Sequence, residues 1–196
     1  MKKSLLLSTL LLLGLLSTGC VPKTYLPNNT ATTMQPIRTT QSMPTPITAN
    51  TYHQLQTIQG PIVTVGERSN GFTFPQYQGK IILLQIFGKE CPYCFEEMPT
   101  IRNIHAKYGQ GLDVIAIQAQ DPMSKNTASR LINQFQMNYP IIERDNASDL
   151  LLFMRHTYGW NGILPYTLLI KNGVTEYSFS GQVDQQELDE AVNNLI

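Results

Sequence analysis

The chain has 196 residues, with 14 basic and 14 acidic side chains and therefore no formal net charge. It contains no Lys/Arg cluster interleaved with aromatic residues, so a nucleic-acid-binding protein is excluded as an interpretation. Once an export signal is removed, the remaining length is enough for one domain with its own core rather than two.

The N-terminus predicts a bacterial export signal over residues 1–19. Lys2 and Lys3 supply the charged region, and the leucine-rich run at 5–16 is shorter than a membrane-spanning helix requires. We therefore expect this segment to be cleaved from the mature protein rather than folded into its core.

Residues 16–20, Leu-Ser-Thr-Gly-Cys, resemble the lipobox of bacterial lipoproteins. The resemblance implies that Cys20 carries the lipid and becomes the mature N-terminus, although Ser17 stands where the lipobox usually has Leu. Several acyl chains on one cysteine would hold the protein at a membrane surface. Because Val21 rather than Asp follows, the resemblance favours the outer membrane, facing the periplasm, over the inner one. The alternative is an ordinary cut near Gly19, which leaves a free exported thiol.

A tether follows at residues 20–51, where Thr, Pro, Asn and Gln dominate and no apolar periodicity is present. This composition is typical of a flexible linker with a root-mean-square span of about 30 Å. We assign residues 52–196 to a single folded domain.

The folded domain is predicted to alternate strands and helices. The nearly continuous apolar run at 81–87 is typical of a central strand buried on both faces. Before it stand β-like runs at 59–65 and 72–77. After it come a helix from the cysteines to about residue 108, a strand at 112–119, helices at 124–138 and 147–158, strands at 166–170 and 174–180 around an Asn-Gly turn, and a helix at 184–196. This order predicts an α/β fold with a mixed central sheet flanked by helices and an N-terminal β-hairpin extension.

The motif Cys91-Pro92-Tyr93-Cys94 follows a buried strand and opens a helix. A cysteine in the first turn of a helix meets unpaired backbone N–H groups and the positive end of the helix dipole, which favour thiolate over thiol. Cys91 is therefore the predicted nucleophile. Cys94 lies about one turn further along, within reach for a disulfide, and is the predicted resolving thiol.

Two other uses of this cysteine pair are disfavoured. A structural zinc site needs four ligands, and His53, His105 and His156 stand at no ligand spacing from the cysteines. A structural disulfide between residues three apart would close too small a loop to add much stability. We predict redox chemistry and no metal.

From about Pro61 onward the chain resembles the TlpA/ResA-like thiol-disulfide oxidoreductases of the thioredoxin-like superfamily. The resemblance rests on the run Gly-Lys-Ile-Ile-Leu-Leu at 79–84, on the cysteine motif and on Glu-Met-Pro at 97–99. It implies a thioredoxin-like fold and an exported monomeric enzyme without a cofactor. It also implies protein dithiols or disulfides of the cell envelope as substrates, and an upstream membrane or soluble redox donor.

A second matching motif is Gly-Ile-Leu-Pro-Tyr-Thr at 162–167, which corresponds to the cis-proline loop of this family. The resemblance implies a cis bond between Leu164 and Pro165 in a loop that faces the cysteines. The backbone of Leu164 would then pair with an extended substrate segment. The alternative is a trans proline at the start of a strand.

Two positions depart from the superfamily pattern. Gln85 stands where thioredoxin has a buried proton-shuttling Asp, and a glutamine cannot titrate. Glu90 and Glu97 are the local carboxylates that could take this role through a water molecule, or they are solvated charges at the helix end. Glu90 also replaces a tryptophan common in relatives. Its negative charge disfavours the neighbouring thiolate, and Lys89 partly offsets that effect.

The direction of the reaction stays open at this point. Pro92 and Tyr93 resemble the dipeptide of glutaredoxins and of a periplasmic isomerase, which indicates an intermediate reduction potential. The TlpA-like resemblance favours a reductase, for example in cytochrome c maturation. The alternatives are a periplasmic oxidase or isomerase, and a non-enzymatic copper-binding lipoprotein, whose cysteines would usually be spaced by three residues.

Overall fold

The structure is a computed structural model that describes residues 51–196. The predicted export signal, Cys20 and the tether up to residue 50 lie outside these described residues. The first strand begins at Thr51, the last residue assigned to the tether. Among residues 51–196, no helix is both long and apolar enough to cross a membrane.

An antiparallel sheet precedes the central sheet. Its strands β1 (Thr51–Gln56), β2 (Ile62–Arg68) and β3 (Gly71–Thr73) follow one another in space in chain order. The predicted hairpin is present as β2 and β3, but β1 adds a third strand that the sequence did not indicate. The second half of the run at 72–77 was wrongly predicted as strand. Pro75–Tyr77 is a 3-10 helix, since a proline cannot donate to a strand ladder.

The central sheet has five strands and is mixed, as predicted. Strand β4 (Ile81–Phe87) lies in the middle, parallel to β5 (Leu112–Gln118), and all seven of its residues are buried. The remaining strands are β6 (Ile141–Glu143), which pairs with β5, and β7 (Tyr166–Lys171) with β8 (Val174–Ser180), where β7 runs antiparallel to β4. The sheet order is β6-β5-β4-β7-β8. The three-residue strand β6 was not predicted.

In the described part of the chain, four α-helices flank the sheet: α1 (Pro92–Tyr108), α2 (Lys125–Phe135), α3 (Ser148–Tyr158) and α4 (Gln185–Asn193). Side chains cap two of them as predicted, since Ser124 and Asp184 accept N–H bonds from the first turns of α2 and α4. Both helices end three residues before the predicted end. In α2 the cause is Gln136, which adopts a left-handed conformation.

The core consists of two apolar clusters on opposite faces of the sheet, because successive strand residues point to opposite sides. Leu83 and Phe87 of β4 pack with residues of α1 and α4, and this cluster includes both cysteines. Leu84 and Ile86 pack with α3 and with the inner face of the N-terminal sheet. The active-site helix and the N-terminal sheet therefore belong to opposite faces.

Arg68 joins the N-terminal sheet to the turn between β7 and β8. Its buried guanidinium donates to the carbonyl oxygens of Asn172 (3.5 Å) and Gly173 (3.1 Å). The hydroxyl of Tyr158 in turn lies 3.5 Å from the carbonyl oxygen of Arg68. The N-terminal sheet is thus held against the central sheet by hydrogen bonds from Arg68 to backbone carbonyl groups as well as by apolar contacts.

Candidate active site

Cys91 and Cys94 form a disulfide at the start of α1, with their Cα atoms 5.2 Å apart. Cys91 is the N-cap residue, and its Sγ accepts the backbone N–H of Cys94 at 3.2 Å. A donor of the first helical turn therefore points at this sulfur. Cys91 keeps 7% of its surface exposed, whereas Cys94 is fully buried.

The two residues between the cysteines lie on the surface. Pro92 occupies the first helical position, which suits its fixed φ and missing N–H, and the side chain of Tyr93 is 62% exposed. Tyr93 therefore presents an aromatic side chain to solvent directly beside the disulfide.

Glu90 also faces solvent. Its side chain is 76% exposed, and its carboxylate pairs with Nζ of Lys89 at 3.0 Å. The lysine thus neutralises the charge that the sequence placed next to Cys91. Of the two candidate carboxylates, Glu90 is the one that matches a solvated charge.

Gln120 stabilises the loop before the cysteines by a hydrogen bond. The sequence analysis did not identify this residue. Its Oε1 accepts the backbone N–H of Glu90 at 2.9 Å. A β-carbon at Gly88 would lie 2.6 Å from Cδ of Gln120, so glycine is needed for this close approach. The backbone N–H of Gln120 is held in turn by Oε1 of Gln118 at 2.5 Å. No local motif marks Gln120, because it follows a different strand.

Glu97 is fully buried, so the interpretation as a solvated charge is wrong. Its Oε2 accepts bonds from Nε2 of Gln85 (2.9 Å) and Oγ1 of Thr167 (3.4 Å), and its Oε1 accepts the backbone N–H of Val183 (3.2 Å). Burial raises the pKa of Glu97 above its ordinary value, while these hydrogen bonds oppose the shift. The carboxyl group is therefore a titratable group held inside the protein, one helical turn after Cys94.

Gln85 lies opposite Thr167 in the ladder between β4 and β7 and is fully buried. Its amide nitrogen donates to Glu97, while its Oε1 has no hydrogen-bond partner among the described residues. The glutamine that replaces the expected aspartate therefore positions a carboxylate that comes from the helix instead.

The bond between Leu164 and Pro165 is cis, which confirms that prediction. The next residue, Tyr166, pairs with Ile86, so this loop lies at the same end of β4 as the cysteines. Trp160 holds the loop by donating its indole N–H to the carbonyl oxygen of Ile163 at 2.9 Å.

No three His, Cys, Asp or Glu side chains within residues 51–196 come together as a metal site. A cavity of about 450 Å³ with aromatic walls, including Tyr52, Phe74 and Tyr77, lies at the opposite end of β4. The seven residues of β4 span roughly 23 Å, so this cavity does not belong to the cysteine site.

A mixed sheet, a disulfide at the helix start and a cis-proline loop beside it define a thioredoxin-like protein. Residues 52–177 match the family described as AhpC/TSA, and the chain belongs to this family.

Two curated relatives of this chain share one name. The thiol-disulfide oxidoreductase ResA of Halalkalibacterium halodurans is 29% identical over 117 residues, which cover 59% of this chain and 62% of that protein. ResA of Geobacillus thermodenitrificans is 27% identical over 121 residues, with coverages of 61% and 65%. The chain thus matches slightly less than two thirds of the length of these curated relatives.

The fold is shared with solved structures. A thioredoxin family thiol:disulfide interchange protein of Chlorobium tepidum superposes with a TM-score of 0.59 at 16% identity, covering 78% of this chain and 98% of that one. StoA of Bacillus subtilis gives a TM-score of 0.53 at 15% identity, with coverages of 72% and 96%. At these identities the likeness establishes the thioredoxin-like fold.

Proposed function

We propose that this protein is a thiol-disulfide oxidoreductase that reduces disulfides of cell-envelope proteins. The observation that carries the proposal is the disulfide between Cys91 and Cys94 at the N-terminus of α1, at the sheet end that also holds the cis-proline loop. The name shared by the ResA relatives supports the same chemistry.

In the proposed reaction the reduced enzyme attacks through Cys91, the more exposed of the two cysteines. Its thiolate forms a bond to one sulfur of the substrate disulfide and releases the other as a thiolate. Cys94 then loses its proton and attacks Sγ of Cys91, which breaks the mixed disulfide and releases the second substrate thiol. The substrate gains two electrons, the enzyme is left oxidised, and an upstream dithiol donor restores it.

Glu97 is the proposed acceptor of the Cys94 proton. It is buried one helical turn from Cys94, and its raised pKa brings it closer to neutral pH, where a general base is most effective. Gln85 is proposed to hold this carboxylate in place. The backbone of Leu164, next to the cis bond, is proposed to pair with an extended segment of the substrate.

Insulin reduction tests the activity. We expect turnover by the wild-type protein and none by Cys91→Ser, because the attacking sulfur is removed. Cys20→Ser is the matched control, since it removes a cysteine outside the pair, and it should keep full turnover. Absence of turnover in the wild type, together with tight copper binding at the pair, would support the copper-binding alternative and overturn the proposal.

The direction of the reaction is tested by the reduction potential and by trapping. The reduction potentials of known thiol-disulfide oxidoreductases range from about −270 to −120 mV, and those of reductases lie at the low end. We expect a value below about −180 mV, whereas a higher value would favour an oxidase or isomerase. Cys94→Ala should accumulate mixed disulfides on Cys91 in the native envelope, and their identification would show whether cytochrome c maturation proteins are among the substrates.

Export and lipid anchoring at Cys20 are part of the proposal, and they rest on the lipobox-like run at 16–20. We expect Cys20 to be labelled by radioactive palmitate and the protein to fractionate with the outer membrane. Cys20→Ala should lose both the label and the membrane association. Sedimentation of the purified protein should give a monomer.

A further inference from the structure

A second concavity is lined by residues of α3, by Trp160 in the loop that follows α3, and by Ala119 and Arg144 directly after the ends of β5 and β6. It has a volume of about 200 Å³. Leu151 and the indole of Trp160, both largely buried, form part of its wall, while Arg144 and Arg155 are exposed residues that line it. The concavity therefore combines an apolar surface with two guanidinium groups.

The arginines are available for a further anion. Within residues 51–196, no carboxylate lies within 4.0 Å of Arg155, and the only one near Arg144 is that of Asp121, at 3.8 Å from Nη1. Asp121 is itself 87% exposed, so this contact is loose. Three other carboxylates lie on neighbouring segments. Asp145 and Asp149 pair with neither arginine, and Glu143 is occupied by Gln118 and the backbone of Met123.

Two wall residues of the concavity are hydrogen-bonded to segments that lead into the cysteine site. Its wall residue Ala119 donates its backbone N–H to the carbonyl oxygen of Phe87 at 2.8 Å, four residues before Cys91. Trp160 donates to Ile163, next to the cis Leu164–Pro165 bond. Both contacts place the concavity at the end of the sheet that also carries the cysteines and the cis-proline loop.

We propose that this concavity is a subsite for a carboxylate side chain of the protein substrate, near the cysteine that Cys91 attacks. The inference rests on the proposed oxidoreductase function. The volume equals that of about seven waters, which suits one side chain, and it is below the roughly 300 Å³ of small-molecule sites. The guanidinium groups match a carboxylate in geometry and charge, and the apolar wall covers the methylene groups that carry it.

Peptide disulfides test the subsite. Short C-terminally amidated peptides carry one cysteine as a mixed disulfide with thionitrobenzoate, whose release by the reduced enzyme is followed by absorbance. A single Glu is moved through the positions on either side of the cysteine, and each peptide has a matched Gln partner. A further pair with a free and an amidated C-terminus separates a terminal carboxylate from a side chain.

We expect Glu at one position to raise the second-order rate constant of thionitrobenzoate release, measured in a single turnover of the reduced enzyme, about fivefold over Gln, the upper range for exposed ion pairs. This ratio should fall towards one in Arg144→Gln/Arg155→Gln and at high salt. It should persist in Arg130→Gln, which changes an exposed arginine on α2 outside the concavity.

Three kinds of contradicting result are distinguishable. A wild-type enzyme that releases thionitrobenzoate from no peptide contradicts the proposed oxidoreductase function itself. An active enzyme whose ratio is one at every position, or whose ratio survives in the double variant, overturns the subsite alone. A preference only for the free C-terminus would assign the carboxylate to the chain end and overturn the side-chain assignment.

Discussion

The side-chain amide of Gln85 donates a 2.9 Å hydrogen bond to the carboxylate of Glu97, and both side chains are fully buried. Oε1 of the same amide has no hydrogen-bond partner within residues 51–196. A 180° turn of that amide would therefore offer an acceptor to a protonated Glu97. The pair has a hydrogen-bonded arrangement for each charge state of the carboxyl group.

Glu97 should make the stability of the protein depend on pH. Because burial raises its pKa above the ordinary value of 4.5, the folded chain holds this proton at pH values where the unfolded chain has lost it. The free energy of unfolding should thus fall as pH rises from that ordinary value through the raised one. Urea unfolding of Glu97→Gln across pH should show a flatter dependence and higher stability at neutral pH.

Two variants control this measurement. Glu96→Gln changes an exposed neighbour and should keep the wild-type pH profile. Glu97→Ala leaves the Val183 N–H without an acceptor and should cost about 1–3 kcal/mol. A wild-type profile in Glu97→Gln would contradict the raised pKa.

Gly88→Ala should displace Gln120 from the loop that carries Cys91. The new β-carbon would take the place of the amide that accepts the Glu90 N–H, at a cost of about 1 kcal/mol for the lost bond. In a Gln120→Ala background this bond is already absent, so the same change should cost much less. Unfolding free energies of the two single variants and the double variant measure the coupling, and additive effects would disprove the stabilising hydrogen bond.

Gly71→Ala should be strongly destabilising, by about 2–3 kcal/mol or more. Its β-carbon would lie 2.2 Å from the carbonyl oxygen of Gly173, a backbone atom that cannot rotate away. Gly111→Ala is the control, because its nearest neighbour would be 3.9 Å away, and it should stay within about 0.5 kcal/mol of the wild type. Equal melting temperatures for the two variants would show that β3 does not lie against the hairpin turn.

Trp160→Phe should loosen the cis-proline loop while largely keeping the apolar packing. It removes the donor to the Ile163 carbonyl, worth about 1 kcal/mol, so the second-order rate constant for reduction of peptide disulfides should fall by about fivefold. Exchange with a small aromatic disulfide, which makes few loop contacts, should change little. An equal loss on both substrates would mean that Trp160 supports the cysteine site rather than the loop.

An element could be predicted from the sequence where consecutive residues are apolar because all of them are buried. Residues 81–87 are apolar except Gln85, and their pattern identified the central strand that positions the cysteines. Strand β1 buries Leu55 and exposes most of its other residues, so it carries no strong apolar signal. Strand β6 is only three residues long and is defined by its pairing with β5.

Within the site, the sequence predicted the features that depend on neighbouring residues. It did not predict contacts between residues that are far apart in the chain. The cysteines and the cis bond follow from short runs of residues. The burial of Glu97 depends on Thr167 and Val183, which are 70 and 86 residues away in the chain. The role of Gln120 likewise depends on the pairing of β4 with β5, which brings the residues after the two strands next to each other.

The folded domain needs its N-terminal sheet, so the smallest part of the protein that we expect to fold by itself includes β1 to β3. Val63, Val65 and Phe72 cover one face of β4 and β7, and Arg68 ties this layer to carbonyl groups that neither salt nor pH can neutralise. A truncated protein that starts at β4 would keep both cysteines and the cis-proline loop but expose that apolar face to water. It should aggregate, and domain boundaries drawn from the cysteine motif alone would discard a layer that the core requires.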